Sequence, residues 1–565
     1  MEQKAGLERY GWLAAIAVVY LYVFPYFPRI HSANELPRAY LVKAIVADHT
    51  FAIDRGVAAW GTTADVSPSG GHQYSNKAPG ASLLAVPAYA AVRAVAGEPS
   101  LAATIWICRT VAGIAPMLAF LWLLWGFLVR FAPDPNIRRL VLLAYALGSL
   151  AMTYSILFYS HQLGAICAAS AWILALDVVD GRRGRLAMAA AGFLAGAAPL
   201  ADYQAAFAVV PVAVHVLARL WSRRTVGSSS IPHRGEDRLH EVRVDEGHRD
   251  AVRGDAVRGD AVREDAGRGD IPRAEVVRGD VARVSDRRSM LPPIVWAAAG
   301  VALPIASLLV YHKVCFGSPW RTGYDASTTF AVFHQHGFLG ITALRWQAFV
   351  GSTVRLDNGL LALSPWWLLA VPGTAALWRG GQRGVAAVGG AVTVIYVLFI
   401  SSINFWRGGW EVGPRYIAAM LPFLLPAVAA QLQAWSGRRV RLGVAAGLVG
   451  VGVAVYVLSS GTFPYWPDSV AHPLYDVTFR LLGDNLVAPS VGSAAGVGGI
   501  AGIAPYLAIG LGVPAWAIAR VAGGRGLAIA AAVTVAILVG YGRSPHGEPR
   551  ADAAYRTVRA AVVDL

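Results

Sequence analysis

The sequence predicts an all-α polytopic membrane protein, with about thirteen transmembrane helices and a long first outward loop of interfacial helices. Three observations carry that expectation. Of the 565 residues, 56% are hydrophobic, and the mean hydropathy is +0.49. Apolar runs of about 20 residues, the length that crosses a bilayer as a helix, recur along the chain. Arginines collect in the short loops between those runs, which is the pattern of cytoplasmic loops. That distribution accounts for the formal charge of +15 as a topology signal and does not call for nucleic acid as a partner.

The first run, residues 11–28, follows a charged start and has no small-residue cleavage site, so it reads as a retained signal anchor. It opens into the outward loop 29–80. Residues 81–96 carry Pro87 and Arg93. At about 15 residues this piece is too short to span and suits an interfacial or re-entrant position. Further spans are expected at 101–131, 140–157, 163–179, 186–200, 203–220, 291–311, 359–378, 384–400, 416–434, 442–458, 500–519 and 527–541. With a cytoplasmic amino terminus, the clusters Arg130/Arg138/Arg139, Arg182/Arg183/Arg185, Arg219/Arg223/Arg224, Arg379/Arg383, Arg438/Arg439/Arg441 and Arg520/Arg525 all lie inside. Treating 81–96 as a crossing would turn every one of them outward.

Between 221 and 290 the composition changes. The repeat AVRGD AVRGD AVRED AGRGD nearly cancels arginine against aspartate and has too little apolar content to bury a core, so this stretch reads as a disordered cytoplasmic linker. It divides an N-terminal module, 1–220, from a C-terminal module, 291–565, whose outward loops are 312–358, 401–415 and 461–499. Cys108, Cys167 and Cys315 are far apart and define neither a disulfide framework nor a zinc motif.

Ionisable groups beside a bilayer are costly, so the loop 29–80, with Glu35, Arg38, Lys43, Asp48, Asp54, Asp65 and Lys77, is the first place to look for chemistry. Moving a phosphate-linked group needs a base for the acceptor's proton and cations for charge growing on the leaving phosphate. Glu35 suits the base, with His161 as a second polar contact or alternative base. Lys77, Arg38 and Arg415 suit the phosphate, since Arg binds it bidentately and Lys as a point charge. In SSINFWRGGWEVGPR, Trp406, Trp410 and Glu411 lie close in sequence to Arg407 and Arg415, a composition that can hold a sugar ring beside an anion. Asn34, next to Glu35, joins that sugar- or acceptor-binding set. Plainer roles compete. Ser32 and Glu35 match the S-x-x-E capping box, Lys77 could snorkel to headgroups, and Asp202 reads as a helix cap.

The pieces NELPRAYLVKAIVADHTFAID, YSNKAPG, FGSPW with its following GY, and GGWEVGPRY resemble the GT-C superfamily of membrane glycosyltransferases. Within it the chain is similar to family 39-like members, near aminoarabinose-lipid A transferases and protein O-mannosyltransferases. The resemblance is best over 11–220. It implies an inverting transfer of a sugar from a polyprenyl-phosphate donor to a lipid, glycan or protein acceptor at the outer face of a bacterial-type inner (plasma) membrane. It also implies that Glu35 stands at the second position of an acidic pair and Lys77 near the donor phosphate. Asn34 stands where relatives have the first acid, and His161 near the position of another. No obligatory metal is expected, although some relatives use a divalent cation. The partners expected are the lipid-linked donor, its acceptor and membrane lipid, without nucleic acid. The rival classes are a polytopic transporter or lipid flippase, and an inactive assembly subunit.

Overall fold

The computed structural model describes residues 2–228, 291–329, 331–334, 336–337 and 340–563. The repeat linker expected at 221–290 falls almost wholly outside them. Residues Met1–Leu220 and Leu291–Leu565 belong to one compact unit.

Among the described residues, eight helices are long and apolar enough to cross a membrane, or up to nine if a bent pair counts as one span, as befits a multi-pass membrane protein. They are Leu101–Arg130, Ser160–Val179, Tyr203–Arg223, Pro293–Phe316, Arg383–Ser402, Arg415–Ala434, Arg439–Thr462 and Ala504–Gly542. Ser160–Val179 and Arg415–Ala434 are 83% buried and form the centre, whereas Pro293–Phe316, at 17%, lies at the rim.

Several expected spans are shortened or broken for local reasons. The first helix ends at Tyr22, because Pro25 and Pro28 cannot continue it. Expected span 140–157 is the bent pair, Pro135–Leu147 and Leu150–Ile156, with an angle of 57° at Gly148–Ser149. There the Ser149 side chain accepts the Ala151 N–H and restarts the helix. Expected span 186–200 is the 17-residue helix Arg185–Ala201. Expected span 359–378 is cut at Ser364–Pro365 into Leu360–Leu363, a 3₁₀ turn, and Ala370–Arg379. The two last spans run together as Ala504–Gly542, interrupted at Gly523, whose φ is 71°. Tyr506 donates to the Val457 carbonyl, and Thr534 to that of Gly447, on the same Arg439–Thr462 helix. Gly510 also lies beside Val457 and Gly526 beside Gly443, so the chain doubles back at Gly523.

The first loop contains the helices Leu36–Ala47 and Asp54–Trp60, and then Gly80–Ala96. Between the last two is an antiparallel hairpin, Val66–Ser69 with His72–Ser75, in the register Val66 to Ser75. Gly70 and Gly71 both have positive φ, 57° and 84°, as a tight two-residue hairpin turn requires. The turn that follows is wedged between two backbones. A Cβ on Gly323 would collide with Asn76, and one on Gly80 would lie 2.6 Å from the Leu200 carbonyl oxygen. Such overpacking against backbone costs about 1–3 kcal/mol. Gly80→Ala is therefore expected to lower thermal stability by that amount, with Gly126→Ala, which meets nothing within 4 Å, as the neutral control.

Candidate functional site

The wedged turn carries Lys77 to the end of the bundle where Ser160–Val179, Tyr203–Arg223 and Arg415–Ala434 begin. A small cavity lies there, lined by Asn34, Arg38, Lys77, His161 and Arg415 together with Ala78, Ser160, Asp202, Tyr203, Tyr324 and Tyr416. Five residues singled out from the sequence thus line one cavity.

Three cations face this space, and they differ in how far their charge is spent. Lys77 Nζ is 2.6 Å from Asp65 Oδ2 and sits 5.6 Å over the Tyr324 ring. Burial lowers its pKa to about 8, with Arg38 and Arg415 adding to the fall and Asp65 opposing it. Arg415 Nε is 2.9 Å from Glu411 Oε2, but neither group gains a hydrogen bond from that contact. Its guanidinium lies 4.9 Å from the Tyr416 ring. Arg38 is different. It is 3% exposed, and among the described residues it forms no ion pair with a carboxylate. It donates to the Asn34 carbonyl and, at 2.7 Å, to Ser160 Oγ, while its Nε has no partner. Burial pulls its pKa down, opposing the charged form.

The same cavity holds a histidine–aspartate pair. His161 Nδ1 lies 2.6 Å from Asp202 Oδ2, which also accepts from Gln204 Nε2 at 3.1 Å. Nδ1 is also 2.9 Å from Gln204 Nε2, but that amide gives its N–H to Asp202, and an ionised carboxylate can only accept, so the Asp202 contact assigns the imidazole proton to Nδ1 and leaves Nε2 with a free lone pair. That nitrogen is buried and, among the described residues, has no partner. Burial raises the Asp202 pKa, but His161, Gln204 and Arg38 outweigh it and hold the group below the ordinary carboxylate value.

Glu35 is placed elsewhere. It is 1% exposed, does not line the cavity, and accepts from Arg109 Nε at 2.8 Å and Arg109 Nη2 at 2.9 Å. The Tyr465 hydroxyl and the Phe158 N–H each donate to it at 2.6 Å. Burial raises its pKa, but Arg109, Tyr465 and the Phe158 amide outweigh it, so the pKa is lowered. A carboxylate saturated in this way is a poor base. Nor does it close a capping box: Ser32 Oγ accepts the Glu35 N–H at 3.4 Å, but the carboxylate turns away to Arg109.

Trp406, Trp410 and Glu411 also lie outside the cavity wall. The Trp406 ring packs against Gly351, and Trp410 meets Phe463 with ring centroids 6.5 Å apart. Glu411 is buried, its N–H donating to the Trp466 carbonyl at 3.0 Å. Burial raises its pKa to about 8 against the pull of Arg415 and Arg407.

In the sequence Asp202 reads as a cap, and Tyr324, Tyr416, Ser160 and Arg109 carry no assigned role. The clue to Asp202 was its position between two apolar runs, at the same end of the bundle as FYSHQ. Among the described residues no group of three or more His, Cys, Asp or Glu side chains converges as a metal site would require. In comparisons with known proteins, the chain matches no family model and no curated protein.

Proposed function

We propose that this protein is an inverting membrane glycosyltransferase that takes a sugar from a polyprenyl-phosphate donor. The observation that carries the reading is Arg38, a buried guanidinium without a carboxylate, beside two further cations at the cavity wall. Leaving a charge buried and unpaired is expensive, so such a group favours an anionic ligand. Lys77 pairs with Asp65, Asp202 is ionised in the same cavity and burial keeps Glu411 protonated near pH 7, so the three cations exceed the ionised acids by one, matching the single negative charge of a phosphodiester.

In the mechanism, the acceptor hydroxyl or amine gives its proton to His161 Nε2 while its heteroatom attacks the anomeric carbon from the face opposite the phosphate. The bond from that carbon to the phosphate oxygen breaks, and the electron pair leaves with the lipid phosphate. Arg38, Lys77 and Arg415 stabilise the charge that develops there. Asp202 holds the imidazole in its tautomer and stabilises the imidazolium. Glu35, first expected as the base, has no part in the proton transfer, because its oxygens are already occupied.

The proposed topology has about thirteen crossings. It counts both halves of Ala504–Gly542, the bent pair, the short apolar helices Tyr10–Tyr22 and Arg185–Ala201, and the interrupted 359–379 segment. The amino terminus is then cytoplasmic and the cavity faces outward. A lipid-phosphate carrier would use the same cations, but has no need of a histidine–aspartate pair with a free Nε2, which favours transfer.

Incubating the purified protein with a panel of polyprenyl-phosphate sugars tests the reading. Release of polyprenyl phosphate in the presence of an acceptor is expected. Binding followed by translocation across a vesicle membrane, with the sugar left attached, would favour the carrier. A pH dependence follows from the site itself. Lys77 loses its proton as pH rises through about 8, and Glu411 gains its charge in the same range and competes for Arg415. Both changes weaken phosphate binding, so polyprenyl-phosphate affinity should be highest below pH 8 and fall above it. A flat profile from pH 6 to pH 10, measured by titration, would remove Lys77 from the site.

A further inference from the structure

The cavity leaves one well-built feature unused: the buried cluster around Glu35. We propose that Glu35, Arg109 and Tyr465 form a positioning hub that sets the two cavity walls, and that Glu35 never touches the substrate. The proposal rests on the donor-phosphate reading above.

The hub joins segments far apart in the chain. Glu35 Oε1 accepts from Arg109 Nε at 2.8 Å and from the Phe158 N–H at 2.6 Å. Oε2 accepts from Arg109 Nη2 at 2.9 Å and from the Tyr465 hydroxyl at 2.6 Å. Arg109 Nη2 also donates to the Pro25 carbonyl at 3.3 Å, and the guanidinium lies 5.0 Å from the Phe24 ring. One carboxylate therefore ties together the end of the first helix, the start of Leu36–Ala47, the span Leu101–Arg130, the approach to Ser160–Val179 and the segment after Thr462.

Two of those segments carry the cavity walls. Arg38 follows Glu35 by three residues, and His161 follows Phe158 by three. The Glu35–Phe158 bond thus sets the spacing between the phosphate-binding guanidinium and the proposed base, which Arg38 and Ser160 also bridge at 2.7 Å. The span that brings Arg109 here is deformed at that point. Residues Thr110–Ile114 form a π-helical turn, and Gly113 within it packs so closely on the Ser155 carbonyl that a Cβ would collide. An irregular backbone inside a span needs compensation from its surroundings. Aiming Arg109 at Glu35, next to the Ser155–Phe158 break, is what this one achieves.

A positioning role separates from a stabilising role and from a base role by experiment. The probe is polyprenyl phosphate, without sugar or acceptor, titrated onto the full chain in detergent. Glu35→Gln should weaken its binding on the order of tenfold or more, the scale of losing a supporting partner, although a base would not affect binding of the leaving group. The pH at which affinity falls should not move, because Lys77 and Asp65 do not contact the hub. Replacing the pair with apolar residues, Glu35→Leu with Arg109→Met, should restore thermal stability relative to either single change. Affinity should stay low, because the Phe158 N–H still lacks its acceptor. Wild-type affinity in Glu35→Gln, or affinity recovering along with stability in the apolar pair, would overturn the proposal.

Hydrogen exchange on the unmodified protein supplies a test independent of variant folding. The Phe158 amide should exchange as slowly as the centre of Ser160–Val179, and rapid exchange would also overturn the hub. Arg38→Gln distinguishes the two levels of failure. If that change leaves binding intact, the donor-site reading fails; if it abolishes binding while Glu35→Gln has no effect, only the hub fails.

Discussion

His161→Asn is expected to abolish the proposed sugar transfer and to leave donor binding almost untouched. The asparagine can still approach Asp202, but it offers no basic nitrogen at the position of Nε2, which in the wild type is buried and has no protein partner. Loss of a positioned general base lowers turnover by about 10²–10⁴-fold, and this is the range expected. Asp202→Asn should give a loss of similar kind, because an amide can donate to Nδ1 and so reverse the tautomer that exposes the lone pair. Affinity for polyprenyl phosphate should change by less than about threefold in both, since the proposed phosphate site is Arg38, Lys77 and Arg415. Single-turnover rates and equilibrium binding, measured on the same preparations, separate the two effects. Turnover equal to wild type in His161→Asn would move the base elsewhere.

Arg38→Gln is expected to do the reverse and to remove donor binding. The glutamine retains polar contact with Ser160 but not the charge, and of the remaining cations Lys77 is paired with Asp65. Truncating one side of a buried, hydrogen-bonded charge pair costs about 2–5 kcal/mol, roughly 30-fold to several thousand-fold in affinity. The unliganded variant should be no less stable than wild type, and could gain, because a buried unpaired charge has been removed. A protein that becomes more stable as it loses its ligand would be strong evidence that the charge is kept for binding. A merely structural arginine would destabilise the fold when replaced.

How far the sequence discloses this site depends on which property is asked for. The alternation of apolar runs with arginine-rich loops is local and shows directly in composition, as do the prolines that end the first helix. The cations at 38, 77 and 415 stand out because charges beside a bilayer are rare. Their partners do not, since partnership is set by tertiary packing. Glu35 looks free in the sequence, yet its arginine lies 74 residues away. Asp202 looks like a cap until the chain brings it to a histidine 41 residues earlier. Tyr324 reaches the cavity from beyond the linker, and nothing local points to it. The hairpin after Asp65 is legible in Gly70–Gly71, a pair that favours a two-residue turn.

The central claim is that the cavity is built for a lipid-borne phosphate, and a comparison of polyprenyl phosphate with the neutral polyprenol of equal length tests it most directly. At pH 7 and moderate salt, the wild-type protein should prefer the phosphate by at least about 100-fold, and Arg38→Gln should nearly erase that preference. Equal affinity of the wild-type protein for the two lipids would contradict the account.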